Sequence, residues 1–336
     1  MAGAVIDRVW RETTADAIEV DLAALWREVG RRQPVARAIM SNLVVFRNCE
    51  SAADVRRSVE ASDLPLVDIV ARHPSRVIVV ARTSPVTAPL DAIIGILTYG
   101  PPAARYGVEH IGVRSPCADA PLPSLVRRLV RGGVPTSIWC VDDLSSRQLP
   151  DSLVTIARQL IFDSRRWTDL AAGIQSLSSA LANPRLEIVD INWRRLAPIR
   201  QAFLHAGDEL DLDELRHANV RIAHRPGERA LAYLLAGWLA SRVGWPSAVR
   251  PPVEESLPNG DEVLTVEVGR NAQPTVIALS NRQLTVKQRG WPAYTTVVRL
   301  ESDADAIAAE LKSLTEHGCL REALRAVARL TGSGSS

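Results

Sequence analysis

Apolar positions along the chain repeat with two periods, and the change between them outlines the fold. Ile18, Leu22, Leu25, Trp26 and Val29 recur three or four residues apart, which predicts a helix, and Gly30 and Pro34 end it. Next comes "AIMSNLVVF", residues 38–46, a β-like run, followed by the helix candidate "SAADVRRSVEA". Strands are predicted at 76–81, 92–97, 108–113, 136–141 and 159–162, with helices at 122–131 and 170–181. Several of these strands are apolar throughout rather than alternating. Strands of that kind, interleaved with helices, indicate a mainly parallel sheet covered on both faces.

The pattern changes at Asn183-Pro184. After a further helical stretch the β-prone runs become short: 220–223, 263–268, 275–279, 284–287 and 295–300. Asn259-Gly260, Gly269 and Gly290 separate most of them, as in an antiparallel meander. The clearest helix is "ERALAYLLAGWLASRVGW", where Leu231, Leu234, Leu235, Trp238, Leu239 and Val243 mark one face and Gly244 and Pro246 stop it. It is expected to pack on the meander. Two helices, 302–316 and 320–330, close the chain. The expected class is therefore α/β: an N-terminal, mainly parallel sheet with flanking helices, then a C-terminal α+β domain with an antiparallel meander. The expected boundaries are an N-terminal helical segment 1–35, an α/β domain 36–183, an α+β domain 184–330 and a tail 331–336.

The length, 336 residues, fits two domains of ordinary size, and 46% apolar with 23% charged residues are globular values. Net charge is +2, and lysine occurs only at Lys287 and Lys312, so almost all of the 40 basic residues are arginine. Acidic and basic residues interleave, with no basic run beside aromatics of the sort that tracks phosphates, and nucleic acid is not an expected partner. Asp7 and Glu12 interrupt any signal-like apolar stretch, and the apolar helix core 231–240 is too short to cross a bilayer. A cytoplasmic protein without membrane association is expected. Cys49, Cys117, Cys140 and Cys319 form no closely spaced pair, so a metal held through thiolates is not expected; no cofactor is expected either. Cys49 and Cys117 lie in polar contexts and are the candidates for a redox-sensitive thiol.

Three stretches could carry chemistry. In "HPSR", His73, Ser75 and Arg76 stand at the mouth of a strand. They form either an anion grip, since the guanidinium fork matches carboxylates and phosphates, or a structural turn with an ion pair. In "DINWRRLAPIRQAFL", Pro198 suits the first turn of a helix starting near Ala197 and leaves Trp193, Arg194 and Arg195 just before it, with Arg200 one turn on. An aromatic among arginines has the composition of a partner-binding hot spot; a core tryptophan among solvated arginines is the alternative. Asp142-Asp143 follows a strand, but adjacent residues on an extended segment point to opposite sides, which disfavours a cooperative acid/base pair. No dinucleotide, P-loop, nucleophile-elbow or zincin motif occurs.

Taken in order, "RAIMSNLVVF", "HPSRVIVV", "LIFDSRRW", "DINWRRLAPIR" and "LLAGWLASRVGW" resemble the glucose-6-phosphate dehydrogenase assembly proteins of the OpcA family, over residues from about 15 to 300. Where that family often has a second tryptophan before the motif's arginine, this chain has Ile199; where it commonly pairs two tryptophans, this chain has Trp139-Cys140. The resemblance implies a non-enzymatic protein that binds glucose-6-phosphate dehydrogenase, promotes its active oligomer and improves its response to glucose 6-phosphate. Trp193, Arg194, Arg195 and Arg200 are then the first candidates for the contact surface. The alternative from the residues alone is a sugar-phosphate or nucleotide sensor, with Arg76 and the loop after Val141 holding the anion.

Overall fold

The computed structural model describes residues 7–49, 55–83, 91–115, 122–146, 151–206, 216–246, 249–269, 274–288, 290–299, 301–314 and 318–332. The chain opens with strand β1 (Asp7–Thr14) and helix α1 (Ile18–Arg32), then short β2 (Ala36–Arg37) and β3 (Ser41–Cys49). Helices α2 (Val55–Glu60) and α3 (Leu66–Arg72) lead to β4 (Ser75–Thr83), β5 (Asp91–Tyr99) and β6 (Tyr106–Ser115). After α4 (Leu122–Leu129) come β7 (Thr136–Cys140), α5 (Asp151–Val154), β8 (Gln159–Phe162), α6 (Leu170–Ser176), α7 (Ser178–Ala182) and β9 (Glu187–Asp190).

These strands form one sheet in the order β1-β5-β6-β4-β3-β7-β8-β9, with β2 beside β6. From β6 to β9 every neighbouring pair is parallel; β5 and β1 add an antiparallel margin. The two-sided burial that the apolar runs implied is visible in β3. Val44 and Phe46 enter one core, beside Ile18, Leu22 and Leu25 of α1, while Leu43 and Val45 enter the other, beside Ile69 and Val70 of α3. The expected mainly parallel sheet with flanking helices is what the chain builds.

The second half begins with α8 (Ile191–Arg195) and α9 (Ala197–Ala206), followed by β10 (Asn219–His224), α10 (Arg229–Val243), β11 (Val253–Glu255), β12 (Glu262–Gly269), β13 (Thr275–Ser280), β14 (Gln283–Lys287) and β15 (Tyr294–Val297). Helices α11 (Asp303–Ser313) and α12 (Gly318–Thr331) follow. The second sheet runs β11-β10-β12-β13-β14-β15, antiparallel except for β10 with β11. Helix α10 is buried nearly all round and shares a core with Leu264, Val266 and Ile277 of this sheet. It approaches α12 so closely that a Cβ at Gly237 would lie 2.5 Å from the carbonyl oxygen of Ala323.

Three features depart from the expected layout. The segment 1–35 is not only helical, because residues 7–14 pair along their whole length with β5. Their alternating half-buried and exposed positions suit an edge strand, and the period was hidden because charged Asp7 and Arg11 fall on the half-buried side and Trp10 on the exposed one. The first sheet also continues past residue 184, since β9 pairs with β8. Finally, the closing helices return to the first sheet. Ile307 and Leu311 of α11 complete the core on the α3 side, where Arg72 Nε donates to Asp305 at 2.7 Å. From α12, Arg321 reaches the Leu181 carbonyl at 2.6 Å. Ends of the chain that are distant in sequence thus pack as one body around β9 and α8.

Candidate functional site

The parallel strands deliver β9 to its carboxyl end at Asp190, and the chain turns there directly into α8. Asp190 caps that helix, accepting from the Asn192 N–H at 3.0 Å. Asn192 Nδ2 lies 2.9 Å from Asp190 Oδ1, Asp163 Oδ1 and Ser164 Oγ, which ties the ends of β8 and β9 together. Burial pushes Asp163 up, but Arg165 and Arg195 outweigh it and hold the carboxyl below its ordinary range. Asp190 goes the other way: burial, reinforced by the charge on Asp163, raises it to about 6. Its Oδ2 has no hydrogen-bond partner among the described residues.

A pH dependence follows. An unfolded aspartate titrates near ~3.9. Between there and about 6 the folded chain keeps a proton that the unfolded chain has lost, so this group's contribution to stability falls as pH rises through that window. Asp190→Asn, which keeps an acceptor for the cap, is expected to raise the melting temperature at pH 7.5 and to flatten the slope between pH ~4 and ~6. A lower melting temperature at pH 7.5 with the slope intact would show that the ionised carboxylate stabilises the fold.

Beyond this cap the structure brings Trp193, Arg194, Arg195 and Arg200 around one cleft of about 370 Å³, which Pro198, Val298 and Arg299 also line. The cleft does not present them as free groups. Trp193 is 4% exposed, with the Arg200 guanidinium 3.7 Å above its ring and Arg200 Nη2 donating to the Trp193 carbonyl at 3.0 Å. Burial lowers Arg200 to about 10. Arg194 makes a two-pronged contact with Glu301, at 2.6 and 2.7 Å, and a third to buried Glu310 at 3.1 Å. These carboxylates, Glu301 first, hold Arg194 above its usual value. Arg195 reaches Asn192 Oδ1 at 2.7 Å and Asp303 at 2.6 Å. The pair Arg194-Arg195 therefore clamps α8 to the start of α11, and Trp193 with Arg200 forms the floor. The tryptophan is a core anchor, as one alternative had it, but Arg194 and Arg195 around it are ion-paired rather than solvated, and they wall a cleft.

The "HPSR" turn lies at the amino end of β4, opposite the carboxyl ends where parallel sheets place ligands. His73 Nε2 is 3.2 Å from Ser41 Oγ, which is 2.9 Å from Ser75 Oγ, and Ser75 in turn donates to the His73 carbonyl. Burial, with the Lys312 charge, lowers His73. Arg76 is fully buried, and its fork is taken by Glu109 and Glu19. Burial pulls this guanidinium down while the two carboxylates hold it up. The turn is thus structural: an anion grip would need a fork that two carboxylates already occupy. Glu109 also accepts from Trp26 Nε1 at 2.7 Å and pairs with Arg37 at 2.6 Å. An acid within the apolar run "YGVEHIGV" was the available signal for this partner.

Asp142 and Asp143 act locally: the first accepts from Asn48 Nδ2 at 3.0 Å, the second from Thr168 and Ser145. Cys49 stands at the end of β3 and is buried, because the strand runs three residues beyond the expected end; this corrects the polar-loop reading. Cys140 is buried and burial raises its thiol pKa, Cys319 is exposed, and Cys117 lies outside the described residues. Among the described residues no cluster of metal-ligating side chains occurs and no helix is long and apolar enough to cross a membrane.

Comparison with known proteins bears on this arrangement. Residues 67–179 match the family model described as glucose-6-phosphate dehydrogenase subunit N-terminal domain, and residues 186–324 match the one described as its C-terminal domain. A curated relative from Synechococcus elongatus, "Putative OxPP cycle protein OpcA", is 26% identical over 189 residues, 53% of this chain and 41% of that one. One of the same name from Nostoc punctiforme is 29% identical over 147 residues, 42% of this chain and 30% of that one. The matched stretch therefore spans less than half the length of either relative. Among solved structures, UDP-N-acetylglucosamine 3-dehydrogenase GnnA from Acidithiobacillus ferrooxidans aligns with a TM-score of 0.33 at 14% identity, covering 65% of this chain and 81% of that one. The two consecutive domain matches meet just before β9, and with the curated relatives they show that the chain belongs to the OpcA family of glucose-6-phosphate dehydrogenase assembly proteins.

Proposed function

We propose that this chain is a non-enzymatic partner of glucose-6-phosphate dehydrogenase that promotes the dehydrogenase's active oligomer and improves its response to glucose 6-phosphate. The observation that carries the reading is the ordered pair of domain matches, each described as part of a glucose-6-phosphate dehydrogenase subunit. An effector of this kind shifts an equilibrium only through differential affinity, so it must bind the active assembly more tightly than the inactive one. The clamped α8 suits such a role. A surface held by charge-assisted pairs loses little freedom on docking, which leaves more of the contact energy for discrimination.

The cleft over Trp193 and Arg200 is the part of this surface that the sequence motif marks, with Arg194 and Arg195 holding its walls. Sedimentation velocity of the same organism's dehydrogenase, with and without this chain, tests the reading. A larger dehydrogenase assembly that contains the chain is expected. An unchanged distribution at micromolar concentrations of both would oppose it.

A further inference from the structure

Unpaired N–H and C=O groups make the edge of a sheet a template for another strand, and proteins blunt such edges with charge, cover or shortness. The two sheets here end in four strands. β1 carries Asp7, Arg8, Arg11 and Glu12; β9 is buried; β11 has three residues, two of them Glu254 and Glu255. β15 is short, at four residues, but it has neither charge nor, among the described residues, cover. Its residues Tyr294-Thr295-Thr296-Val297 are uncharged and all exposed, and they pair with β14 in unbroken register. The Val298 N–H donates to the Arg282 carbonyl at 2.8 Å. By antiparallel alternation, the backbone groups of Thr295 and Val297 then face outward.

The surroundings of this edge point to a particular kind of occupant. Trp291, Tyr294 and Val297 are 61%, 47% and 83% exposed, a concentration of large apolar surface on one hairpin. A groove of about 400 Å³ between α9 and β15, lined by Pro198, Ala202, Leu284 and Tyr294, shares Pro198, Val298 and Arg299 with the cleft over Trp193. Exposed Lys287 and Arg299 stand near opposite ends of β15, and neither forms an ion pair among the described residues.

We infer that β15 is the docking edge for an extended segment of the dehydrogenase, added as a further strand, apolar or β-branched at its centre and acidic at its ends. The inference rests on the proposed partnership. A second copy of this chain is a poorer occupant, because antiparallel pairing of β15 with itself brings Arg299 of each copy toward Lys287 of the other.

The test measures the affinity of the same organism's dehydrogenase for the full chain and for two variants, Thr295→Pro and Arg299→Glu, with thermal melts of each. Thr295→Pro removes an outward N–H that the sheet does not use, and Arg299→Glu reverses an exposed charge. Each is expected to weaken binding at least tenfold. In parallel, hydrogen exchange should show the Thr295 and Val297 amides protected only in the complex. Parental affinity in a folded Arg299→Glu variant, together with unprotected amides in the complex, would overturn the docking edge while leaving the partnership intact. Absence of binding by the parent chain would instead overturn the partnership, and this inference with it. Protection of the same amides in the chain alone, rising with its concentration, would assign the edge to a second copy and overturn the inference.

Discussion

Replacing Glu109 by alanine is expected to destabilise the chain by about 3–5 kcal/mol, the usual effect of removing one member of a buried ion pair. The carboxylate is fully buried and holds Arg76, Arg37 and Trp26 Nε1 at once. Without it, Arg76 keeps only Glu19, on a helix at the sheet's margin, and a fully buried guanidinium loses its interior counter-charge. Denaturant unfolding with an unchanged m-value checks the figure. The double substitution Arg76→Met with Glu109→Leu should restore much of the loss, because a well-packed apolar pair avoids the desolvation of both charges. If the single substitution cost less than about 1 kcal/mol, "HPSR" would not be the structural keystone its geometry indicates, and a ligand-facing role for Arg76 would return.

The second large effect is expected at Trp193. Truncation to alanine should cost about 3–5 kcal/mol, the range for emptying a buried aromatic site, because its ring lies in the main core beneath Arg200. Arg200→Ala is expected to cost only about 1 kcal/mol, through loss of the ring contact and one hydrogen bond. The difference matters for function. A loss of dehydrogenase response on Trp193→Ala would mix unfolding with lost contact, whereas Arg200→Ala alters the cleft in a chain that stays folded. Melting curves for both, taken before any activity assay, separate the two effects.

Strands β3 to β8 of the first sheet were legible because they are buried on both faces, so runs such as Val77–Val80 need no partner to identify them. α1 and α10 were legible from spacing; left-handed Gly244 does end α10, whereas α1 runs past Gly30 to Arg32. β1 was not legible, since its two faces do not separate by polarity: charged Asp7 and Arg11 share the half-buried side with Val9, while Trp10 is on the exposed side. Nor was the site's wiring. Three partners of Arg194 and Arg195, Glu301, Glu310 and Asp303, lie more than a hundred residues on and are brought near by the return of α11. The motif placed an aromatic and three arginines close together; only the fold shows that two of the arginines are clamps. The open edge of β15 was equally hidden, because a strand's neighbours, and therefore its lack of one, are set by topology.

The most direct measurement is the initial rate of the same organism's glucose-6-phosphate dehydrogenase across a glucose 6-phosphate titration, with increasing amounts of this chain. A half-saturation that falls, or a maximal rate that rises, and that reaches a plateau with added chain is the expected result. Superimposable curves at every concentration, with no co-elution of the two proteins, would contradict it.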